Sequence, residues 1–126
     1  MNVPENLKYT KDHEWILVEG NVGTIGVTDY AQGELGDIVF VDIDPNLAEL
    51  KSGESFGTVE AVKTVSDLYA PCSGKVIELN KKLAEEPQVV NSDPYGQGWM
   101  VKIEISNLED LNDLLDSSAY TQLIGH

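Results

Sequence analysis

The amino-acid sequence predicts a mainly β fold, a small sandwich or open barrel, closed by a C-terminal helix. Three observations carry this expectation. Short runs rich in Val, Ile, Thr and aromatic residues recur along most of the chain, separated by Gly, Asp, Asn and Pro. Only the tail changes period, to leucines spaced three and four residues apart. Two stretches also echo each other. One opens on Gly23-Thr24-Ile25 and closes on Gly36-Asp37-Ile38-Val39; the other opens on Gly57-Thr58-Val59 and closes on Gly74-Lys75-Val76-Ile77. Two such halves suggest a pair of sheets with approximate two-fold symmetry.

Taken in order, residues 1–12 are polar and read as irregular. Glu14 to Val18 is β-rich, and Glu19-Gly20-Asn21 breaks it as a hairpin turn before the run Val22 to Val27. Asp29 to Gln32 suits one helical turn before Gly33. Asp37 to Ile43 alternates, with Ile38, Phe40 and Asp42 on one face and Val39, Val41 and Ile43 on the other, until Pro45 stops it. Ser55 to Val65 is an extended run, Leu68 to Ala70 resumes it, Pro71 to Gly74 turns, and Lys75 to Leu79 alternates again. Asn80 to Glu86 reads as a charged connection and Asn91 to Gly98 as loop. Trp99 to Ile105 is the last strand-like run, which places the β core at about 13–105. The helical segment covers about 107–124. Leu108, Leu111, Leu114 and Leu115 form an amphipathic stripe that either Ser106 or Asn107 can cap. A second short helix runs from Ser117 or Ser118 to Ile124 and ends on Gly125.

The 126 residues suit a single domain, 1–126, with enough length to bury a core. No apolar run is long enough for a membrane span, and the first residues resemble neither a signal nor a transit peptide. The lone Cys72 excludes an intrachain disulfide and fits a reducing compartment, expected to be a bacterial cytoplasm rather than a mitochondrion. Cys72 itself reads as a half-buried small hydrophobe in a turn. Asp and Glu number 22 against 8 lysines, a net charge of −14. That balance argues against nucleic acid and anionic membranes, which need clustered cations. It suits solubility, a monomer, and steering toward basic surfaces on protein partners.

The segment Gly57 to Gly74 is the most informative. If its run folds back near Val62 to Thr64, Lys63 projects from the tip of a hairpin, between Glu60 and Asp67 in sequence. A lysine on a rigid tip is accessible to a modifying enzyme, and acylation converts its charged amine into a long neutral tether. Most lysines on strands are merely solvated, so the neighbours matter. Val-Glu-Ala-Val-Lys-Thr-Val-Ser-Asp followed by Ala-Pro-Cys-Ser-Gly-Lys-Val resembles the attachment hairpin of lipoyl carrier domains. Val62 and Thr64 stand where biotin carriers place methionines, which favours lipoate.

The resemblance extends to nearly the whole chain. His13-Glu14-Trp15, the stretch Gly23 to Gln32, Leu35 to Val41, the late stretch Val90 to Met100, and Ala119-Tyr120 are together similar to glycine cleavage H proteins. Gln97 departs from that family, which often has an acidic residue there. The resemblance implies a hybrid barrel–sandwich lipoyl-carrier fold with a C-terminal helix and covalent lipoate on Lys63. It implies three enzymes as partners: pyridoxal-phosphate glycine decarboxylase, tetrahydrofolate-dependent aminomethyltransferase, and flavin dihydrolipoyl dehydrogenase. A lipoate ligase or lipoyl/octanoyl transferase would attach the group, with Glu60, Val62 and Thr64 serving recognition. A cleft near the His13-Glu14-Trp15 strand would shield the loaded arm, with Glu14, Asp67 and His13 as docking residues.

Two other readings differ in kind. An enzyme would need a nucleophile–base pair or a metal-ligand cluster, and the spacing of His13, His126 and Cys72 suggests neither; no catalytic residue or metal ligand is expected. A lipoyl donor feeding other lipoylated enzymes would use the same lysine, and an unmodified adaptor would keep only the fold.

Overall fold

The computed structural model describes residues 2–125; His126 lies outside them. Nine strands occur among the described residues: β1 Lys8–Tyr9, β2 Glu14–Glu19, β3 Val22–Val27, β4 Ile38–Asp42, β5 Glu49–Leu50, β6 Ser55–Ala61, β7 Val65–Tyr69, β8 Gly74–Leu79 and β9 Val101–Ile105. Four α-helical segments accompany them: α1 Asp29–Leu35, α2 Lys82–Glu85, α3 Val89–Ser92 and α4 Ser117–Ile124. The strands form an antiparallel six-stranded sheet in the order β1-β2-β3-β9-β8-β5 and a three-stranded sheet in the order β4-β6-β7. The first of the echoed halves sends one strand to each sheet, β3 and β4; the second sends β6 and β7 to the three-stranded sheet and β8 to the six-stranded one.

The main core lies between the sheets. Ile16, Ile25, Val59, Leu68, Val101 and Ile103 are buried there, with Cys72 at no exposure rather than half-buried. Strand β2 buries both of its faces. Ile16 points into this core, while its neighbour Trp15 points the other way, into a second cluster with Leu7, Tyr9 and Tyr120. Opposite Trp15 in the register stands Gly26, where a Cβ would meet the indole at 2.8 Å. Helix α4 completes this second cluster: Tyr120 stacks on Tyr9 with ring centroids 4.6 Å apart. Tyr9 also exchanges two 2.8 Å backbone hydrogen bonds with Leu115, so β1 forms where the sequence suggested irregular chain.

Several expectations are corrected in detail. Helix α1 runs through Gly33 and ends at Gly36, whose φ of +80° suits a residue without a Cβ. The alternation along 37–43 is broken by a bulge between Ile38 and Phe40. Ile38 and Val41 therefore pack inward, while Val39 and Phe40 both face out, about half exposed. The charged connection contains α2, and the late loop begins with α3. The leucine stripe forms a 3₁₀ helix, Leu108–Asp113, capped by Asn107 and not Ser106. Its α-helical continuation is prevented because Leu115 leaves to pair with Tyr9, and Leu108 stays exposed. Helix α4 starts at Ser117, but its cap is Asp116, which accepts from the Ala119 amide at 2.8 Å. None of these helices is long and apolar enough to cross a membrane.

Two glycines separate conformation from packing. Gly33 is exposed in α1, with open space where a Cβ would go, whereas a Cβ on Gly74 would sit 2.5 Å from the Glu104 carbonyl oxygen. Gly33→Ala should raise stability by about 0.5–1 kcal/mol through helix propensity. Gly74→Ala should lower it by about 1–3 kcal/mol through crowding of β9. Urea denaturation of both variants tests this; equal midpoints would contradict the packing assigned to Gly74.

Candidate functional site

Strands β6 and β7 form the hairpin, in register from Gly57 opposite Leu68 to Glu60 opposite Val65, with a shift between Ser55 and Gly57 at its base. Phe56, Val59 and Ala61 of β6 and Leu68 of β7 are buried, which fixes the hairpin's inner face on the core. At the tip the Ala61 amide donates to the Thr64 carbonyl at 2.8 Å, leaving Val62 and Lys63 to make the turn. Val62, Lys63 and Thr64 are all exposed. The Val62 amide donates to the Asp37 carbonyl at 3.1 Å, so the tip is tied to the segment joining α1 to β4.

That segment is itself held by Asn91, on α3. The Asn91 amide nitrogen donates to Gln32 Oε1 and to the Gly36 carbonyl, and its oxygen accepts from the Ile38 amide, each at 2.9 Å. The Lys63 side chain lies against the same place: a Cβ on Gly36 would be 3.4 Å from Lys63 Cε.

From Leu35, next to Gly36, a cleft of about 240 Å³ extends along α1 past Glu34 and Tyr30 to Asp12 and His13, with Ser66 of β7 on its other side. Its far end is built on a buried polar chain. The Tyr120 hydroxyl lies 2.9 Å from His13 Nδ1 and 2.7 Å from Thr28 Oγ1. Thr28 Oγ1 also caps α1 by accepting from the Ala31 amide at 3.1 Å. His13 has a φ of 71°, an unusual value for a residue with a side chain. A tight loop supports it: the His13 amide donates to the Thr10 carbonyl at 3.2 Å, and the His13 carbonyl accepts from the Thr28 amide at 3.0 Å. Burial lowers the His13 pKa below its ordinary 6.5, against the opposing pull of Asp12 and Glu34.

Glu14 is 1 % exposed and is not among the residues that line the cleft. Its carboxyl accepts from Thr10 Oγ1 at 2.7 Å and from the Tyr69 amide at 3.3 Å. Burial outweighs these hydrogen bonds and pushes its pKa up to about 8. Of the residues expected to dock the arm, His13 lines the cleft, whereas Glu14, its neighbour in sequence, does not. The structure places Asp67 elsewhere, exposed on the outer face of the hairpin, with Ser55 Oγ 3.5 Å from its carboxylate. Glu60 is exposed on the same outer face. Gln97 is held by Lys82, whose Nζ donates to Gln97 Oε1 at 2.5 Å. No group of three or more His, Cys, Asp or Glu able to hold a metal occurs among the described residues.

Sequence reasoning did not single out Tyr120, Thr28, Gly36 or Asn91 as parts of the site. Thr28 ahead of an acidic helix start was a legible cap. The other three act through contacts spanning from about 55 to 107 positions along the chain, which no local pattern reveals.

The glycine cleavage H-protein family model matches residues 7–126. The chain is 58 % identical over 119 residues to a glycine cleavage system H protein of Symbiobacterium thermophilum, covering 94 % of this chain and 93 % of that one. It is 56 % identical over 125 residues to one from Staphylococcus haemolyticus, covering 99 % of each. The crystal structure of a glycine cleavage system H protein from Mycobacterium marinum superposes with a TM-score of 0.89 at 37 % identity, over 98 % of this chain and all of that one.

Burial of Glu14 predicts a pH signature. Its carboxyl titrates near 4.5 when unfolded and near 8 when folded. Between those values the folded chain keeps a proton that the unfolded chain has released, so stability falls as pH rises through that window. Between pH 5 and pH 9 the unmodified wild type should lose up to about 4 kcal/mol more stability than Glu14→Gln. Denaturation midpoints across that range check it, and parallel profiles would show that Glu14 is not held in its neutral form.

Proposed function

The chain belongs to the glycine cleavage H-protein family, and from that premise we propose that it is the lipoyl carrier of a bacterial glycine cleavage system, with lipoate in amide linkage to Lys63 Nζ. It would take the aminomethyl group of glycine from pyridoxal-phosphate glycine decarboxylase to tetrahydrofolate-dependent aminomethyltransferase, and electrons to dihydrolipoyl dehydrogenase. The observation that carries this reading is Lys63 exposed at a hairpin tip whose neighbour Gly36 adjoins the mouth of a cleft. A lipoyl group there supplies a dithiolane that accepts carbon and electrons. The chain itself is a carrier, not a catalyst, acting in the cytoplasm as a monomer.

The residues fit that task. The tip is braced by backbone hydrogen bonds, so the tether swings from a fixed point and keeps a high effective concentration at each partner. Leu35 and Tyr30 line the cleft and limit access of water to an arm lying in it. His13, its pKa lowered by burial, is uncharged at neutral pH and does not repel a cationic amine. Glu14 offers a carboxyl that such a cation would favour in its ionised form, so docking the amine there releases the proton that burial retains. To reach it the amine must displace the Thr10 hydroxyl or approach beside it. The geometry supports Glu14 and His13 for arm docking more than the outward-facing Asp67.

Incubation with lipoate, ATP and a lipoate ligase should add one lipoyl group, located at Lys63 by peptide mapping and absent from Lys63→Ala. Addition at another lysine, or none in folded protein with an active control, would overturn the assignment. With the three partner enzymes, the lipoylated wild type should support glycine–bicarbonate exchange and Lys63→Ala should support none.

A further inference from the structure

The outer face of the three-stranded sheet, which the cleft does not use, has an unusual composition. The row nearest the tip pairs Phe40 with Glu60 and Glu60 with Val65. The next row pairs Asp42 with Thr58 and Thr58 with Asp67. Phe40 is 48 %, Val65 58 % and the tip residue Val62 75 % exposed. Other exposed large hydrophobics, such as Ile77 and Leu123, lie in β8 and α4, apart from this face. The bulge between Ile38 and Phe40 is what turns Phe40 outward with Val39; a regular strand would have put one of them in the core. Bulges commonly re-aim side chains in this way beside functional positions.

The same face carries charge of one sign. Asp42, Glu60 and Asp67 are exposed, and none forms an ion pair among the described residues; the pairs that do form, Lys82–Glu86 and Lys102–Glu78, lie elsewhere. Exposed apolar side chains interleaved with unpaired carboxylates are the pattern of a docking surface whose complement combines apolar side chains with Lys or Arg.

We propose that Phe40, Val62 and Val65, with Glu60 at their centre and Asp42 and Asp67 beyond, form the surface on which the enzyme that acylates Lys63 docks. The inference rests on the carrier reading above. In that reaction the Lys63 amine attacks an acyl adenylate, an amide forms, AMP leaves and a proton is released. An enzyme delivering the adenylate to Nζ must cover the chain around the tip. The tip alone offers two turn residues, and the inner face of the hairpin is packed on the core. The outer face is continuous with the tip through Glu60 and Val65, the last paired residues before the turn. Recognition therefore extends across β4 and is not confined to the residues flanking the lysine.

The test is steady-state lipoylation of the whole chain by a lipoate ligase with ATP and lipoate, read by intact mass. Phe40→Ser and Val65→Thr should lower kcat/KM at least about fivefold, through KM, as hot-spot truncations do. Asp42→Lys should lower it and flatten its dependence on salt. Ile77→Thr, equally exposed on β8, should leave it unchanged, with thermal denaturation confirming that all four variants fold. Wild-type kcat/KM in Phe40→Ser, Val65→Thr and Asp42→Lys would overturn the docking surface while leaving the carrier reading intact. A wild type that accepts no lipoyl group would overturn the carrier reading, and the docking surface with it.

Discussion

The position of Lys63 depends on one side-chain amide. Asn91 uses both of its polar atoms to join the end of α1 to the start of β4, and the loop it fixes is the loop that receives the Val62 amide and supports the Lys63 side chain. A two-residue turn is by itself a poor platform, because its ends can twist and its exposed backbone can exchange partners with water. Here the backbone at the tip is bonded within the hairpin and also across to a second element. The hairpin's inner face supplies the rest of the stiffness through Val59, Ala61 and Leu68, all buried.

A second constraint works from the other end of the cleft. His13 adopts a left-handed backbone conformation that costs energy unless its surroundings hold it. They do so through Thr10 and Thr28 on the backbone and Tyr120 on the ring. Tyr120 comes from α4, so the C-terminal segment is part of the site's construction: stacking on Tyr9 places its hydroxyl where His13 and Thr28 both need a partner. A buried polar chain of this kind is stable only when each member is satisfied, and no buried side-chain polar atom among the described residues lacks a partner. The tail helix and the cleft therefore stand or fall together.

These two constraints explain which parts of the molecule were legible in the sequence. The strands were, because Glu14 to Val18, Val22 to Val27 and Lys75 to Leu79 carry β-rich runs bounded by turn residues. The turn at Lys63 is not marked by the pattern, which reads Ser55 to Val65 as one extended run; the resemblance to lipoyl attachment hairpins is what points to it. The bulge at Ile38–Phe40 was not visible, since a regular alternation reads equally well and only the core on one side decides which residues turn inward. The 3₁₀ helix at Leu108–Asp113 was misread as α-helix for a related reason: the leucine spacing fits both, and the pairing of Leu115 with distant Tyr9 settles it. Tyr120 falls within the short second helix that the sequence predicts, with nothing to mark its role. Its hydroxyl partner lies 107 residues away, a separation that periodicity cannot detect.

The charge balance gains a more specific meaning once the lysines are located. In the unmodified chain the Lys63 ammonium lies against Gly36, at the C-terminal end of α1, the end of a helix dipole that favours a cation. An amide at the same nitrogen carries no charge, so acylation removes that attraction and makes an already acidic chain more negative. Both effects act in one direction. They weaken the hold of the helix end on the side chain and add to the net negative charge of the chain. The braced tip stays where the backbone bonds put it, while the tether beyond it loses its electrostatic reason to stay folded back. A rigid base and a released arm are the two properties that a swinging carrier must combine, and with the proposed attachment at Lys63 they would come from separate parts of the structure: backbone hydrogen bonds for the first, a single removable charge for the second.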